Sequence, residues 1–392
     1  MLARVTAPAA PAPHRAVDVA VIGGGIIGCS AAAMLANRGL RVLLIERATI
    51  AAGASGRNLG AVQHPFDAAL APLYVDSLAR YRALADRGDG FGIGHAPAGL
   101  LLLNRDADAA ARQVERFRVT DPDLDATFVD PDEVVRVEPS LRHGPAGVLL
   151  ATGYPVPPAA ATEAWADLAA QSGASLLVGT GARPAIESGR AVGVLLDDGT
   201  AVAADAVLVA AGPWTPPLVD PSGAWRPIRP TYGVTLQLRL GDAAPTRVVE
   251  EDEVDVINRP DAATARAAGH IGDEPPSLFS IATAGGTSTL GSTFLATEPD
   301  AAAVEPLLLR RAAAFLPAVA EAEIVGRRLC ARPQSVDGRP FIGPVAGMDG
   351  LHVCAGHGPW GISTGPGSAA VAVRALLDGV PPPPELAAAR PI

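Results

Sequence analysis

The chain has 392 residues, 49% hydrophobic and 18% charged, which excludes a disordered protein and leaves room for two domains with their own cores. Its formal net charge of −10, with no basic cluster to neutralise phosphates, excludes nucleic acid as a partner, and no apolar run is long enough to span a bilayer. Cys29, Cys330 and Cys354 make neither a metal-ligand spacing nor a disulfide framework, so no metal is expected and the cytoplasm is the expected compartment. All 31 basic residues are arginine, so no lysine can serve as base, Schiff base or oxygen activator.

Residues 1–16, rich in Ala and Pro, read as a flexible tail. The apolar run 17–22 reads as a buried parallel strand, followed by Gly23, Gly25 and Gly28 in the spacing G-x-G-x-x-G. Gly23 suits a tight turn, Gly25 lets a pyrophosphate approach the backbone, and Gly28 lets a helix over 26–38 lie close on the sheet. That helix would aim its free N–H groups at the diphosphate. A second strand over 41–45 ends in Glu46, eighteen residues past Gly28, where a carboxylate accepts bonds from ribose hydroxyls. Strand, turn, helix, strand and acid in this order predict a dinucleotide site.

Residues 54–67 read as a polar loop running along the rest of the cofactor, and 67–87 as an amphipathic helix. A strand over 99–103, a charged helix over 106–118 and a short helix ending near Pro139 suggest an excursion into a second domain. A strand over 148–151 and a helix over 157–172 mark the return. Short strands follow, the last of them over 205–212 closing on Gly212-Pro213-Trp214. Antiparallel strands are expected over 227–240, 246–258, 277–283 and 286–294, then a helix over 302–315 and a strand over 323–329. Residues 341–343 and 351–355 return to the first domain, and GHGPWGISTGPG opens a last helix running to Leu377. The expected division is 17–90, 145–215 and 328–380 for a nucleotide domain, 91–144 and 216–327 for a substrate domain, and 381–392 for a second flexible tail.

With the N-terminal fingerprint, VLVAAGPW at 207–214, RPQSVDGRPFIGP at 332–344 and GHGPWGISTGPG at 356–367, the sequence resembles the FAD-dependent D-amino-acid, glycine and sarcosine oxidase (DAO) family over residues 17–380. The resemblance implies an α/β (α+β) protein with a Rossmann-like, doubly wound FAD-binding domain and a substrate domain with a large, mainly antiparallel sheet. It also implies FAD and oxidation of a C–N bond beside a carboxylate. Its implied cofactor residues are Gly23, Gly25, Ile26, Ile27 and Gly28 in the first turn, Glu46 and Arg47 after the second strand, and Ser55, Arg57 and Asn58 in the next loop. They continue with Ala211, Gly212 and Trp214, then Arg332, and close with Gly356, Gly358, Gly361 and Ile362.

Position by position, Arg332 matches the family's carboxylate-clamping arginine; the plainer alternative is an arginine bonded to a buried carbonyl. His357 is a candidate for bonding substrate or flavin, against a structural role. Trp360 stands where sarcosine oxidases carry a lysine, and offers an apolar wall and one N–H donor, or else belongs to the core. Tyr232 lies on a strand that in the family faces the substrate, although a packed strand residue is the simpler reading. Cys330 lies seven residues before Asp337, the spacing of covalent attachment in sarcosine oxidase-like members, while Ala331-Arg332-Pro333 resembles noncovalent members.

These features imply an enzyme that passes hydride from an amino acid or N-substituted glycine to flavin, with O2 as acceptor and H2O2 as product. The alternatives are a dehydrogenase of the same fold serving a quinone or partner subunit, a hydroxy-acid oxidising relative, and a structural FAD-holding subunit. Without the family's lysine, oxygen activation would need Arg57, a protonated His64 or His357, or the product's iminium. Association as a homo-oligomer stays open.

Overall fold

The computed structural model describes residues 14–88, 90–252 and 274–392. Its first sheet runs in the order Phe341–Pro344, Leu351–Ala355, Ala201–Val209, His14–Ile22, Val42–Glu46, Ser175–Val178. All neighbours are parallel except the Phe341–Pro344 edge. A hairpin, Ala182–Glu187 with Arg190–Leu196, extends Ala201–Val209 in antiparallel fashion. Successive residues of the first strand serve opposite faces, as a period of two requires. Val19 and Val21 face a layer of helices, whereas Ala20 and Ile22 join the core of Val194, Val207 and Val209.

The helix layer joins Ile26–Asn37, Ala71–Ala85, Pro158–Gln171 and Gly361–Leu377. Alanines Ala31, Ala32, Ala33 and Ala36 on the first of these are buried, which keeps its neighbours close. A Cβ at Gly28 would lie 1.9 Å from the Gly23 carbonyl oxygen, so the helix can meet the turn only through glycine.

The second sheet runs Glu323–Ser335, Ile228–Arg239, Thr287–Thr293, Ser277–Ala284, Val248–Glu251, Leu100–Asn104, Ala146–Leu150, Thr127–Val129. Only the Val248–Glu251 and Leu100–Asn104 pair is parallel. Helix Ala301–Ala313 buries Val304 and Leu308 on one face, and helix Ala107–Thr120 buries Val114 and Phe117 on the other.

Several expectations need correction. Strand Ala146–Leu150 pairs with Leu100–Asn104 and Thr127–Val129, so it belongs to the second sheet and not to the nucleotide domain. The strand expected at 323–329 continues to Ser335 along Ile228–Arg239 and carries Arg332 with it. The loop over 54–67 contains a helical turn, Ala54–Arg57, and a short strand, Ala61–Val62. The strand expected over 246–258 is seen as Val248–Glu251; residues 253–258 lie outside the described residues. Residues 14–16 belong to the first strand instead of a tail.

The C-terminal tail is also docked. Leu386 is buried, the Ala388 N–H donates to the Ile342 carbonyl, and Arg390 lies over the Phe341 ring at 3.6 Å. Arg390 pairs with Asp337 at 2.8 and 2.9 Å and donates to the Arg339, Pro340 and Ala387 carbonyls. Burial works against the Asp337 carboxylate, but Arg390 and backbone donors outweigh it and hold its pKa below the ordinary value. Arg390→Ala is therefore expected to cost about 1–3 kcal/mol, read as a lowered Tm. A depressed carboxylate pKa contributes stability above its unfolded value and loses it as pH falls, so the difference from wild type narrows below about pH 4. An unchanged Tm at neutral pH would return 381–392 to a loose tail.

Candidate active site

The glycine turn and the second strand meet through the Glu46 carboxylate, which accepts the Gly24 N–H at 2.7 Å and the Ala48 N–H at 2.8 Å. Gly23 has φ +118°, and a Cβ there would fall 2.4 Å from the Ala210 carbonyl oxygen. No other residue suits that position. Ser55 Oγ accepts the Ile26 N–H at 2.9 Å, placing a hydroxyl at the start of the first helix. Asn58 donates to the Ala54 and Ser55 carbonyls and accepts from Gly60, which closes the loop. Arg57 donates to the Leu329 carbonyl across to the second sheet.

These groups surround a cavity of about 690 Å³, within the usual range of cofactor pockets, roughly 300–1,000 Å³. Gly23, Gly25, Ile26, Ile27, Glu46, Arg47, Ser55, Arg57 and Asn58 line one side. Ala211, Gly212, Trp214, Arg332, Gly358, Gly361 and Ile362 line the other, with His357 and Cys330. Arg47 covers the half-exposed Trp214 ring at 3.9 Å. Gly28 and Gly356 do not line the cavity: Gly28 sits beneath the turn, and Gly356 makes a left-handed turn at φ +93° against Ile228.

A second, smaller cavity of about 80 Å³ shares Asn58, Arg332, Pro359 and Ile362 with the first. Arg332 forms the boundary. Its guanidinium donates to the Thr293 carbonyl at 2.8 Å and Ser292 Oγ at 2.9 Å, and lies 4.7 Å from the Phe294 ring centre. It also covers Gly233, where a Cβ would come within 2.4 Å of Nη2. Burial lowers its pKa, and among the described residues no carboxylate pairs with it. The plainer sequence alternative, a bond to a buried carbonyl, is thus present, but it engages only part of a five-donor group.

Trp360 lines the small cavity and stands edge-on to Phe66. Tyr232 lines neither cavity; its backbone pairs with Leu295 and Ala331, a position that fits the packed strand residue favoured from the sequence rather than a contact with substrate. His357 is buried with both ring nitrogens unbonded, and burial pushes its pKa down to about 3. His64 lines neither cavity, stacks edge-on with Tyr74, and is also lowered by burial. Burial disfavours the charged form of both histidines, which leaves the arginines and the product's iminium as the other sources of positive charge named from the sequence.

Glu250 escaped the sequence reading. It is buried in strand Val248–Glu251, lines the small cavity, and accepts one bond, from Gln63 Nε2 at 3.2 Å. Burial raises its pKa to about 7 against the lowering effect of Gln63. In the run VVEEDEV nothing marks this glutamate from its neighbours, since both faces of the strand are covered.

Residues 18–375 match the family described as FAD dependent oxidoreductase. The chain is 31% identical over 368 residues to the glycine oxidase of Geobacillus kaustophilus (strain HTA426), covering 90% of each. It is 30% identical to a D-amino acid dehydrogenase of Cereibacter sphaeroides (strain ATCC 17029 / ATH 2.4.9), over 72% of this chain and 61% of that protein. The crystal structure of glycine oxidase from Bacillus cereus ATCC 14579 superposes with a TM-score of 0.77 at 26% identity, covering 93% of this chain and 96% of that one.

Cys330 is buried, and desolvation raises its thiol pKa although Arg332, Arg57 and Arg328 oppose it. Cys29 and Cys354 are buried and raised as well. A neutral, covered thiol is a poor nucleophile. No thiol of the native protein is expected to react with a disulfide reagent, and all three are expected to react after unfolding. Rapid labelling of native Cys330 would restore it as a candidate for covalent attachment.

Proposed function

Because this chain belongs to the FAD-dependent oxidoreductase family and is an enzyme of the glycine oxidase and D-amino acid dehydrogenase type, we propose that it oxidises the C–N bond of a small amino acid or N-substituted glycine, with O2 as acceptor. FAD, when bound, supplies the electron acceptor for the hydride leaving the substrate carbon. The large cavity suits it: the glycines clear the backbone where added Cβ atoms would collide, and Glu46 stands at the end of the second strand for ribose hydroxyls.

Arg332 carries the substrate reading. A part-buried cation without a carboxylate partner among the described residues has lost hydration that its two neutral acceptors replace only in part, and it stands between the large cavity and the small one. A guanidinium grips a carboxylate with two donors and so fixes the attached carbon in orientation. The small cavity, walled by Phe294 and Trp360, favours a short side chain and limits water around the reacting nitrogen. The similarity to a glycine oxidase along most of the chain agrees with a small amino acid.

Two measurements test this. Anaerobic titration of the holoenzyme with amino acids, N-substituted glycines and hydroxy acids should bleach the flavin only with amines bearing a carboxylate. Arg332→Ala should retain FAD and weaken their apparent binding by roughly 2–5 kcal/mol. Unchanged binding would remove Arg332 from this role, and bleaching by hydroxy acids alone would move the enzyme to that class.

A further measurement concerns the acceptor. With burial disfavouring charge on His64 and His357, the positive charge lining the large cavity is that of Arg47, Arg57 and Arg332, and guanidinium groups do not titrate in the working range. Reoxidation of the reduced holoenzyme by air, followed by stopped flow, should therefore be independent of pH from about 6 to 9. A rate that falls as pH rises would overturn the arginine assignment. Negligible reoxidation with rapid turnover on a quinone would favour the dehydrogenase.

A further inference from the structure

Buried carboxylates in this protein are otherwise well provided for. Glu138, almost wholly buried, accepts the Thr246 and Arg247 N–H groups and the Ser140 and Thr246 hydroxyls. Glu251, next to Glu250, takes the Arg311 guanidinium at 2.6 and 3.1 Å and the Phe279 N–H at 2.6 Å. Glu250 has only the Gln63 amide. Its strand neighbours, Leu102 and Ser280, bring no charge to it. Of the described residues lining the small cavity, only Glu250 and Arg332 are ionisable. A cavity of about 80 Å³ thus carries one cation and one carboxyl group that have no charged partner among the described residues.

We propose, on the basis of the amino-acid reading above, that Glu250 receives the substrate's ammonium group while Arg332 holds its carboxylate, and that Glu250 takes the proton this nitrogen must lose before oxidation. Neither group finds its counter-charge among the described residues; a zwitterion supplies both. In the transfer an N–H bond breaks, its electron pair stays on nitrogen, and an O–H bond forms at the carboxylate. Nothing is oxidised or reduced in this step. The freed lone pair then allows C=N formation as the Cα–H bond gives up its hydride. Burial has raised Glu250 to about 7, which makes it a better proton acceptor than an exposed glutamate. The ligand class that follows is a small carboxylate whose amine, primary or secondary, can release a proton.

The test uses the holoenzyme and two unreactive ligands of one skeleton: 2-aminoisobutyrate, which has no α-hydrogen to lose, and isobutyrate, which lacks the amine. Binding is read from the flavin absorbance change and by calorimetry. At about pH 8 wild-type enzyme should prefer 2-aminoisobutyrate by at least about tenfold. Glu250→Gln should abolish that preference while binding isobutyrate as well as wild type or better, because a repelling charge is gone. The wild-type enzyme should lose the preference as pH falls to about 6, where Glu250 is protonated, and this arm requires no variant. A preference that survives both Glu250→Gln and the lower pH overturns the proposal. Equal binding of the two ligands by wild type at the higher pH overturns it too, and leaves the carboxylate reading of Arg332 intact. Binding of neither ligand overturns that reading and this proposal together.

Discussion

The structure depends on a near-collision. Between the first strand and the first helix the chain turns so tightly that a methyl group at Gly28 would lie inside the carbonyl oxygen of Gly23, and one at Gly23 inside that of Ala210. This closeness holds the helix N-terminus over the ends of the parallel strands. It also sets the position of Gly24, whose N–H holds the Glu46 carboxylate, and of Ile26, whose N–H holds Ser55. The loop from Glu46 to Asn58 is therefore tied at both ends to one glycine turn, and through Arg57 it reaches the second sheet at Leu329. One wall of the small cavity follows from that tie, since Asn58 lines both spaces.

The strand Glu323–Ser335 supplies the opposite wall. Its pairing with Ile228–Arg239 runs through most of both strands, so Cys330 and Arg332, two residues apart on one face, are positioned by a ladder and not by a loop. The guanidinium is then fixed sideways by Ser292, Thr293 and Phe294 and from below by Gly233. An arginine restrained this far loses little further freedom when a carboxylate arrives.

Much of this was legible in the sequence where backbone geometry forces a residue type. Gly23 and Gly28 announced their turn because no side chain fits there, and Glu46 followed at a distance set by one helix and one strand. The α/β class and the mainly antiparallel second sheet were legible from the alternation of apolar runs. Side-chain environments were not. Glu250 and Glu251 are adjacent and identical in sequence, yet one meets Arg311 and the other a cavity, because Arg311 arrives from a helix sixty residues later. The state of His357 depended on burial that spacing does not reveal. The docking of 381–392 rests on Arg390 meeting Asp337 and Phe341 about fifty residues upstream, a pairing with no local signature.

A chain without lysine meets its site chemistry with a narrow set of titrating groups. Its arginines do not titrate in the working range, and burial disfavours the charged form of His64 and His357. Tyr74, beside His64, is pushed up to about 12, and the buried thiols are raised as well. Among the described residues lining the two cavities, Glu250 is the one whose pKa burial brings near neutrality. A group that binds an ammonium as an anion and then keeps its proton couples substrate affinity to the same event that prepares the amine for oxidation. In the proposed assignment the balance is opposite on the carboxylate side, where Arg332 holds a constant charge and so a constant grip. Fixed charge on one end of the substrate and switchable charge on the other would let such a site retain the carboxylate while the nitrogen passes from ammonium to amine.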